Sequence, residues 1–314
     1  MIPHYLHPKI IVSVSGGKDS TATCLHLRDL GIPYQAVFMD VGWDNAATYD
    51  YLRHDLPSII GPITWLRQEV PLVEGYEDAT LEIERCLGIS PSSMVRMCVW
   101  KGVFPSRVMR WCTEHLKVKP AIEHFKAHKA DDVVVVNAIG VRRAESRARS
   151  VLPEWEWSAA HGGLLVWRPL IDWSEDQVIQ LHRRHGVRPN PNYLFGALRV
   201  GCWPCIFARK DEIRRIADTD PNRIKAMQML ETLVAERARD RRIKNGKPLG
   251  WKPTWFQNPT SALTEDGRRD GSTWEIDRVV NWSRTSRGGR QFELFTLPDT
   301  EAGCFRWGMC EKPE

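Results

Sequence analysis

Hydrophobic positions in the first half of the chain fall into short β-branched runs separated by helical patterns. Residues 9–14 form an apolar run that ends in a glycine turn, as buried parallel strands do, and a helical face then continues to Gly31. Further strands are predicted at residues 35–39, 63–66 and 131–136, with a helix over residues 46–56. This alternation predicts an α/β fold with a doubly wound parallel sheet.

The pattern changes beyond about residue 170. Helices are predicted at residues 174–185 and 221–243, and residues 258–273 are polar and charged enough to form a loop or linker. We therefore expect three parts: an α/β domain over residues 1–170, a mainly helical region over residues 171–257 with a Cys-x-x-Cys motif, and a basic, tryptophan-containing segment over residues 258–314.

Composition and charge suggest the compartment and the partners. The 314 residues contain neither a cationic segment followed by an apolar leader nor an apolar run of about 18 residues, so we expect a cytoplasmic protein without membrane contact. The net charge is +5, but residues 237–290 hold 13 Lys/Arg against 6 Asp/Glu. This excess indicates either a nucleic acid or nucleoprotein partner, with several of the 14 tryptophans stacking on bases, or a solvated surface with buried tryptophans.

A phosphate-binding loop is predicted between the first strand and its helix. The residues are Ser15, Gly16, Gly17, Lys18, Asp19 and Ser20. Backbone N–H groups and the positive end of a helix dipole converge on an anion at such a turn. The glycines allow close approach, Lys18 adds a positive charge and the serines add hydroxyl donors.

The hexapeptide is similar to the signature of the PP-loop ATP pyrophosphatases, which cleave between the α and β phosphates. Asp40 stands where those proteins place residues near the adenosine, although it also suits a helix cap. Blocks at residues 110–120, 140–147 and 199–205 narrow the resemblance to the phosphoadenosine phosphosulfate (PAPS) reductase-like, or CysH-like, branch, which includes phage, DNA-phosphorothioation and CRISPR-associated relatives. The resemblance implies an adenine nucleotide alpha hydrolase-like, Rossmann-like core.

The resemblance also implies the site. The ligand would be ATP with Mg²⁺, or PAPS, and Lys18, Asp19 and Cys112 would carry the catalysis. The implied nucleotide-binding residues are Ser13, Ser15, Gly16, Gly17, Lys18, Asp19, Ser20, Asp40, Lys117, Gly140, Arg142, Arg143 and Arg147. Arginines just past a strand end can bind phosphate or sulfate through paired hydrogen bonds.

Eight cysteines without an export signal favour metal binding or catalysis over disulfides. Related adenylyl-sulfate reductases bind a 4Fe–4S cluster with an adjacent cysteine pair and a later Cys-x-x-Cys, but here Trp111 replaces the first cysteine. We expect Cys112, Cys202, Cys205 and Cys310 as ligands, with Cys304 or Cys98 as substitutes. Zinc fits the same thiolates, and a variant with Cys304 instead of Cys112 would free Cys112 for chemistry.

Three functions stay open. The protein activates a substrate by adenylation for sulfur chemistry, or reduces an adenylyl sulfate through a thiol, or binds a nucleotide without turnover as an accessory protein. The tail at residues 303–311 lacks the Glu-Cys-Gly-His-type motif of PAPS reductases, which counts against assimilatory sulfate reduction. A homo-oligomer is compatible with any of the three.

Overall fold

The structure is a computed structural model. It describes residues 7–130, 133–159, 163–247, 252–257 and 274–285, together with Trp307. The predicted loop at residues 258–273 and the candidate ligands Cys304 and Cys310 lie outside the described residues.

A six-stranded sheet organises the first half of the chain. Its order is β3-β2-β1-β4-β6-β5, and every neighbouring pair is parallel except β5 with β6. The strands are β1 (His7–Val14), β2 (Tyr34–Met39), β3 (Ile63–Leu66), β4 (Val133–Ile139), β5 (Trp155–Ser158) and β6 (Leu164–Trp167). The predicted doubly wound parallel sheet is thereby confirmed for five of the six strands, and the sixth, β5, is antiparallel and lies at one edge.

Helices connect several of the strands and make up most of the regular structure beyond the sheet. Those of the first half are α1 (Lys18–Asp29), α2 (Ala46–Asp50), α3 (Leu56–Ile60), α4 (Glu77–Leu87), α5 (Ser93–Lys101), α6 (Trp111–Thr113) and α7 (Lys119–Lys126). The later ones are α8 (Glu175–Arg184), α9 (Pro191–Leu194), α10 (Lys210–Thr219), α11 (Pro221–Lys244) and α12 (Ile276–Ser283). Beyond β6 the described chain is mainly helical, as expected.

Two large hydrophobic clusters hold these elements together. One packs α1 against β1, β2 and β4, with Leu25, Val12 and Val136 fully buried. The other joins α5 to α11 and α12, with Val95 and Leu230 at its centre. The second cluster draws on residues from both sides of position 170, and the three-part division stays a prediction. Among the described residues, no helix is both long and apolar enough to cross a membrane.

The topology brings several predicted residues to one sheet edge. The carboxyl ends of parallel strands point the same way, and in doubly wound sheets ligands bind beyond that edge. Ser15 follows β1, Asp40 follows β2 and Gly140 follows β4. The structure therefore gathers these three turns at the C-terminal edge of the sheet.

Candidate functional site

The predicted phosphate loop is a tight turn between β1 and α1. Gly16 has a φ of +70°, in the left-handed region that favours glycine. Gly17 is the N-cap of α1 without a capping side chain. The turn is closed by Ser20, whose Oγ donates to the carbonyl of Gly17 at 3.0 Å and accepts from the N–H of Ser15 at 3.2 Å. This geometry leaves N–H groups at the start of a 12-residue helix available to an anion, apart from that of Lys18, which donates to the Tyr193 hydroxyl.

Lys18 is buried at the start of α1 but is fully paired. Its Nζ lies 3.0 Å from Asp19 Oδ2 and 3.1 Å from Glu175 Oε1, and its backbone N–H donates to the Tyr193 hydroxyl at 3.1 Å. Burial works against the charged form, but the nearby Tyr193 oxygen and the two carboxylates outweigh it and raise the pKa of Lys18. The side chain therefore stays an ammonium at neutral pH.

Arg142 joins the turn after β4 to this loop. Its Nε donates to Asp19 Oδ1 at 2.6 Å, and the side chain is about as buried as that of Lys18. The close approach depends on Gly140, because a Cβ there would lie 2.5 Å from the backbone carbonyl of Asp19. Asp19 thus bridges two cations beside the loop.

The other two predicted arginines make no described contact with the loop. Arg143 donates to the carbonyl of Leu152 from Nε at 3.1 Å and from Nη2 at 2.9 Å, and it pairs with Asp172. Arg147 is exposed, and its carbonyl accepts from Ser150. Of the three arginines, the structure brings only Arg142 to Asp19.

Asp40 is buried and engaged by protein groups. Its Oδ1 accepts from the N–H of Gly42 and from the Tyr49 hydroxyl, both at 2.8 Å, and its Oδ2 pairs with Arg67. Asn45, rather than Asp40, caps the next helix, since its side chain accepts from the N–H of Ala47. Asp40 therefore organises the turn after β2 in this structure.

Ser13 lies one position before the end of β1, where its Oγ donates to Asn137 on β4 at 3.0 Å. Three further neighbours of the loop carry no signature in the sequence. Tyr193 lies on α9, Glu175 begins α8, and Thr48 on α2 would be 3.2 Å from a Cβ at Gly16. An Asn-Pro helix start at Asn190 and the capping box at Ser174 predict the two helices but not their contact with the loop.

A second group forms around Lys117. Its Nζ lies 3.7 Å from the Cys202 sulfur, and its electrostatic neighbours include Asp44, Cys205 and Cys112. Asp44 and Cys202 also form a backbone bridge. Lys117 therefore belongs with the thiols, which we call the thiol group (Cys112, Cys202 and Cys205), rather than with the phosphate loop.

Burial raises the pKa of two of these thiols, Cys202 and Cys112. It raises the pKa of Cys202 to about 12, although the Lys117 ammonium acts in the opposite direction. Burial also raises the pKa of Cys112, with Lys117 again opposing. Cys98 is completely buried behind Cys112, and its pKa is raised well above the usual range. Lys117 is a cation that a thiolate of Cys112 or Cys202 would face.

The described part of the chain contains no group of three or more His, Cys, Asp or Glu side chains arranged to hold a metal ion. The thiol group has the donor chemistry of an iron–sulfur or zinc site, but three thiols leave one ligand to supply. Cys310, the fourth residue of the expected set, lies outside the described residues. Cys98, one of the substitutes, lies near Cys112.

Comparison with known proteins agrees with these motifs. The sequence model of one protein family, the phosphoadenosine phosphosulfate reductase domain, matches residues 90–208. An uncharacterized 37.8 kDa protein from the gpa 5′ region of Escherichia phage 186 is 34% identical over 96% of this chain and 96% of its own length. The adenosine 5′-phosphosulfate reductase of Allochromatium vinosum is 44% identical over 66 residues, which cover 21% of this chain and 25% of that one.

Among solved structures, the phosphate complex of phosphoadenylyl-sulfate reductase from Candida auris is similar over 63% of this chain and 82% of its own. Its identity is 20% and its TM-score is 0.44.

Proposed function

Because the chain belongs to the phosphoadenosine phosphosulfate reductase-like family of PP-loop proteins, we propose that it binds ATP and cleaves it between the α and β phosphates. The product would be an adenylated substrate, activated for sulfur chemistry. One observation carries the proposal: Lys18, Asp19 and Arg142 form a bridged set of charges beside the amino end of α1.

Each residue of this set has a role in the proposed reaction. The N–H groups of Gly16 and Gly17 bind phosphate oxygens, and the Lys18 ammonium stabilises the charge that develops as the bond breaks. Arg142 can donate its remaining N–H groups to phosphate, while Asp19 holds both cations in place. An acceptor oxygen attacks the α phosphorus, the α–β bridging bond breaks, and pyrophosphate leaves with the electron pair.

Mg²⁺ would arrive with the nucleotide. Asp19 and Asp40 are both engaged by cations of the protein, so the phosphates themselves would be its main ligands. A Mg²⁺ ion held by those phosphates would supply positive charge against the phosphate oxygens. The proposed nucleotide-binding set also keeps five residues whose described contacts are to protein groups: Ser13, Asp40, Lys117, Arg143 and Arg147.

A thiol-dependent reduction of PAPS or adenylyl sulfate is the second candidate, and the thiol group favours it. In that reaction a thiolate of Cys112 attacks the sulfate sulfur. The leaving group is adenosine bisphosphate when the substrate is PAPS and AMP when the substrate is adenylyl sulfate. A second thiolate then releases sulfite and closes a disulfide, which a dithiol reductant must reduce. Lys117 would favour the attacking thiolate.

A metal site at Cys112, Cys202, Cys205 and Cys310 is proposed alongside either reaction, as a 4Fe–4S cluster or as zinc. No step above passes through it. An accessory role without turnover, with nucleic acid bound through residues 237–290 as in a phage or CRISPR-associated complex, is the third candidate. The net positive charge of that stretch supports it.

Identification of the nucleotide products tests these candidates. Protein purified without oxygen is incubated with ATP and Mg²⁺, or with PAPS and a dithiol. AMP and pyrophosphate from ATP support adenylation. Sulfite and adenosine bisphosphate from PAPS would support the reductase function instead of adenylation. Nucleotide binding with neither set of products would leave the accessory role. A Lys18→Ala variant must lose whichever activity is found.

A further inference from the structure

A large open basin lies beside the phosphate loop. Its volume is about 2150 Å³, and its walls come from the chain near α2, α4, α9, α10 and α12. Pockets for a single small ligand occupy about 300–1,000 Å³. This basin, which we call the arginine basin, therefore has room for a ligand larger than one nucleotide.

The charge of the arginine basin is strongly positive. Nine lysine and arginine side chains line it, against four aspartates. Four exposed arginines among them form no ion pair with any residue that the structure describes: Arg53, Arg85, Arg107 and Arg209. Guanidinium groups bind phosphate through paired, charge-assisted hydrogen bonds. The wall therefore offers several separate phosphate contacts.

Exposed aromatic rings lie among these cations. Phe195 is 57% exposed and Phe207 is 37% exposed, although both are apolar. The guanidinium carbons of Arg107 and Arg110 each lie 5.7 Å from the centre of the Phe207 ring. Lys210 lies 5.0 Å from the ring centre of Trp282. Bases stack on such rings while neighbouring cations bind the backbone.

The arginine basin adjoins both parts of the candidate site. Asn192 on its wall donates to Thr48 at 3.1 Å, and Thr48 lies against Gly16 of the phosphate loop. Phe207 follows Cys205 by two residues, and Arg110 precedes Cys112 by two. A strand in the basin would therefore pass close to the loop and to the thiol group.

We infer that the arginine basin binds a single strand of nucleic acid, with its phosphates on the four arginines that form no ion pair with a described residue and a base on Phe207. A duplex would keep its bases stacked on one another and away from the ring. This inference deepens the proposed function by naming the acceptor class, but the binding itself needs no nucleotide turnover.

The test is the fluorescence anisotropy of a labelled oligothymidylate of about 15 nucleotides, titrated with the full-length protein between about 50 and 200 mM salt. We expect the double variant Arg107→Gln/Arg110→Gln to weaken binding about tenfold or more and to reduce the slope of log K against log salt by about 1.4. Phe207→Ala should weaken binding about five- to hundredfold with an unchanged salt slope.

The control is Arg239→Gln/Lys244→Gln, which removes the same charge from exposed positions near the end of α11. It should bind as the wild type does. If this control variant loses oligonucleotide binding and Arg107→Gln/Arg110→Gln does not, the inference is overturned and binding is assigned to residues 237–290. Absence of oligonucleotide binding, or equal binding of polyglutamate, would also overturn it. Lys18→Ala should bind the strand normally, which separates this result from failure of the proposed function.

Discussion

The Nε of Arg142 donates to Oδ1 of Asp19 at 2.6 Å, and this hydrogen bond joins the turn after β4 to the first turn of α1. The second oxygen of Asp19 binds Lys18, so one carboxylate positions two cations that arrive from different strands of the sheet. A phosphate at the loop would meet both cations already in place. Preorganisation of this kind lowers the cost of ordering side chains when the ligand binds.

The Arg142–Asp19 pair should show energetic coupling in the free energy of unfolding. Arg142→Gln and Asp19→Asn should each destabilise the protein, and the double variant should lose less than the sum by about 1–3 kcal/mol, because the two side chains are mostly buried together. Urea unfolding of the four proteins gives this value. The exposed pair Arg284 and Asp218 is the matched control, with coupling of about 0.5 kcal/mol or less. Equal coupling in the two pairs would contradict the bridge.

Gly140 should tolerate no side chain. A Cβ would collide with the carbonyl carbon and oxygen of Asp19 at 2.5 Å, so Gly140→Ala should separate the two turns, cost about 1–3 kcal/mol of stability and weaken nucleotide binding. Gly201→Ala is the control, since a Cβ there meets nothing within 4 Å. Thermal unfolding with and without nucleotide measures both effects. If Gly140→Ala has the stability and the nucleotide affinity of the wild type, the close approach of the two turns is not required.

The proposed metal site predicts bound iron and sulfide, or zinc, in protein purified without oxygen. Cys202→Ser should lose that metal because its thiol lies at the centre of the thiol group. Cys86→Ser should keep it, since the Cys86 thiol donates to the carbonyl of Asn222 instead. Elemental analysis and the visible spectrum measure the content. Metal-free wild type, or equal metal in both variants, would reject these ligands.

Glu231 should make stability depend on pH. Burial raises its pKa to about 7 although its oxygens accept from the N–H groups of Trp255 and Ile276. Because the folded pKa exceeds the unfolded one, the folded state binds more protons between about pH 4.5 and 7, and stability falls as pH rises through this window. The loss should be on the order of 3 kcal/mol. This loss of stability is complete above the pKa of the folded state.

Urea unfolding of the wild type and of Glu231→Gln across this range measures the effect. The glutamine variant should lose most of the pH slope, whatever its absolute stability. An unchanged slope would assign the pH dependence to other groups.

The fold could be predicted where burial dominates the sequence pattern. The strand at residues 63–66 was predicted at its observed bounds, and α8 lies within the predicted 174–185, because a capping box and an apolar face define it. The predicted helix at residues 46–56 is instead α2 and α3 joined by a π-helical turn, and it continues to Ile60. The strands β5 and β6 were both missed, and β5 carries two exposed tryptophans that alternate with polar residues.

The site could be predicted only in part, for a geometric reason. The loop is local in sequence, so its six residues could be named together. Arg142 and Arg143 are adjacent, but the backbone at Arg142 is extended and neighbouring side chains on such backbone point opposite ways. Which arginine faces Asp19 depends on the turn. Glu175 and Tyr193 reach the loop only because helices distant in sequence pack beside it.

Calorimetric titration with α,β-methylene ATP tests most directly the central claim that the loop at residues 15–20 binds nucleotide phosphates. Lys18→Ala should raise the Kd about tenfold or more, since charge-assisted hydrogen bonds contribute about 1.5–3 kcal/mol. Lys225→Ala, at an exposed position on α11, should leave the Kd unchanged. If Lys18→Ala binds the analogue as tightly as the wild type and Lys225→Ala do, the loop is not the phosphate site.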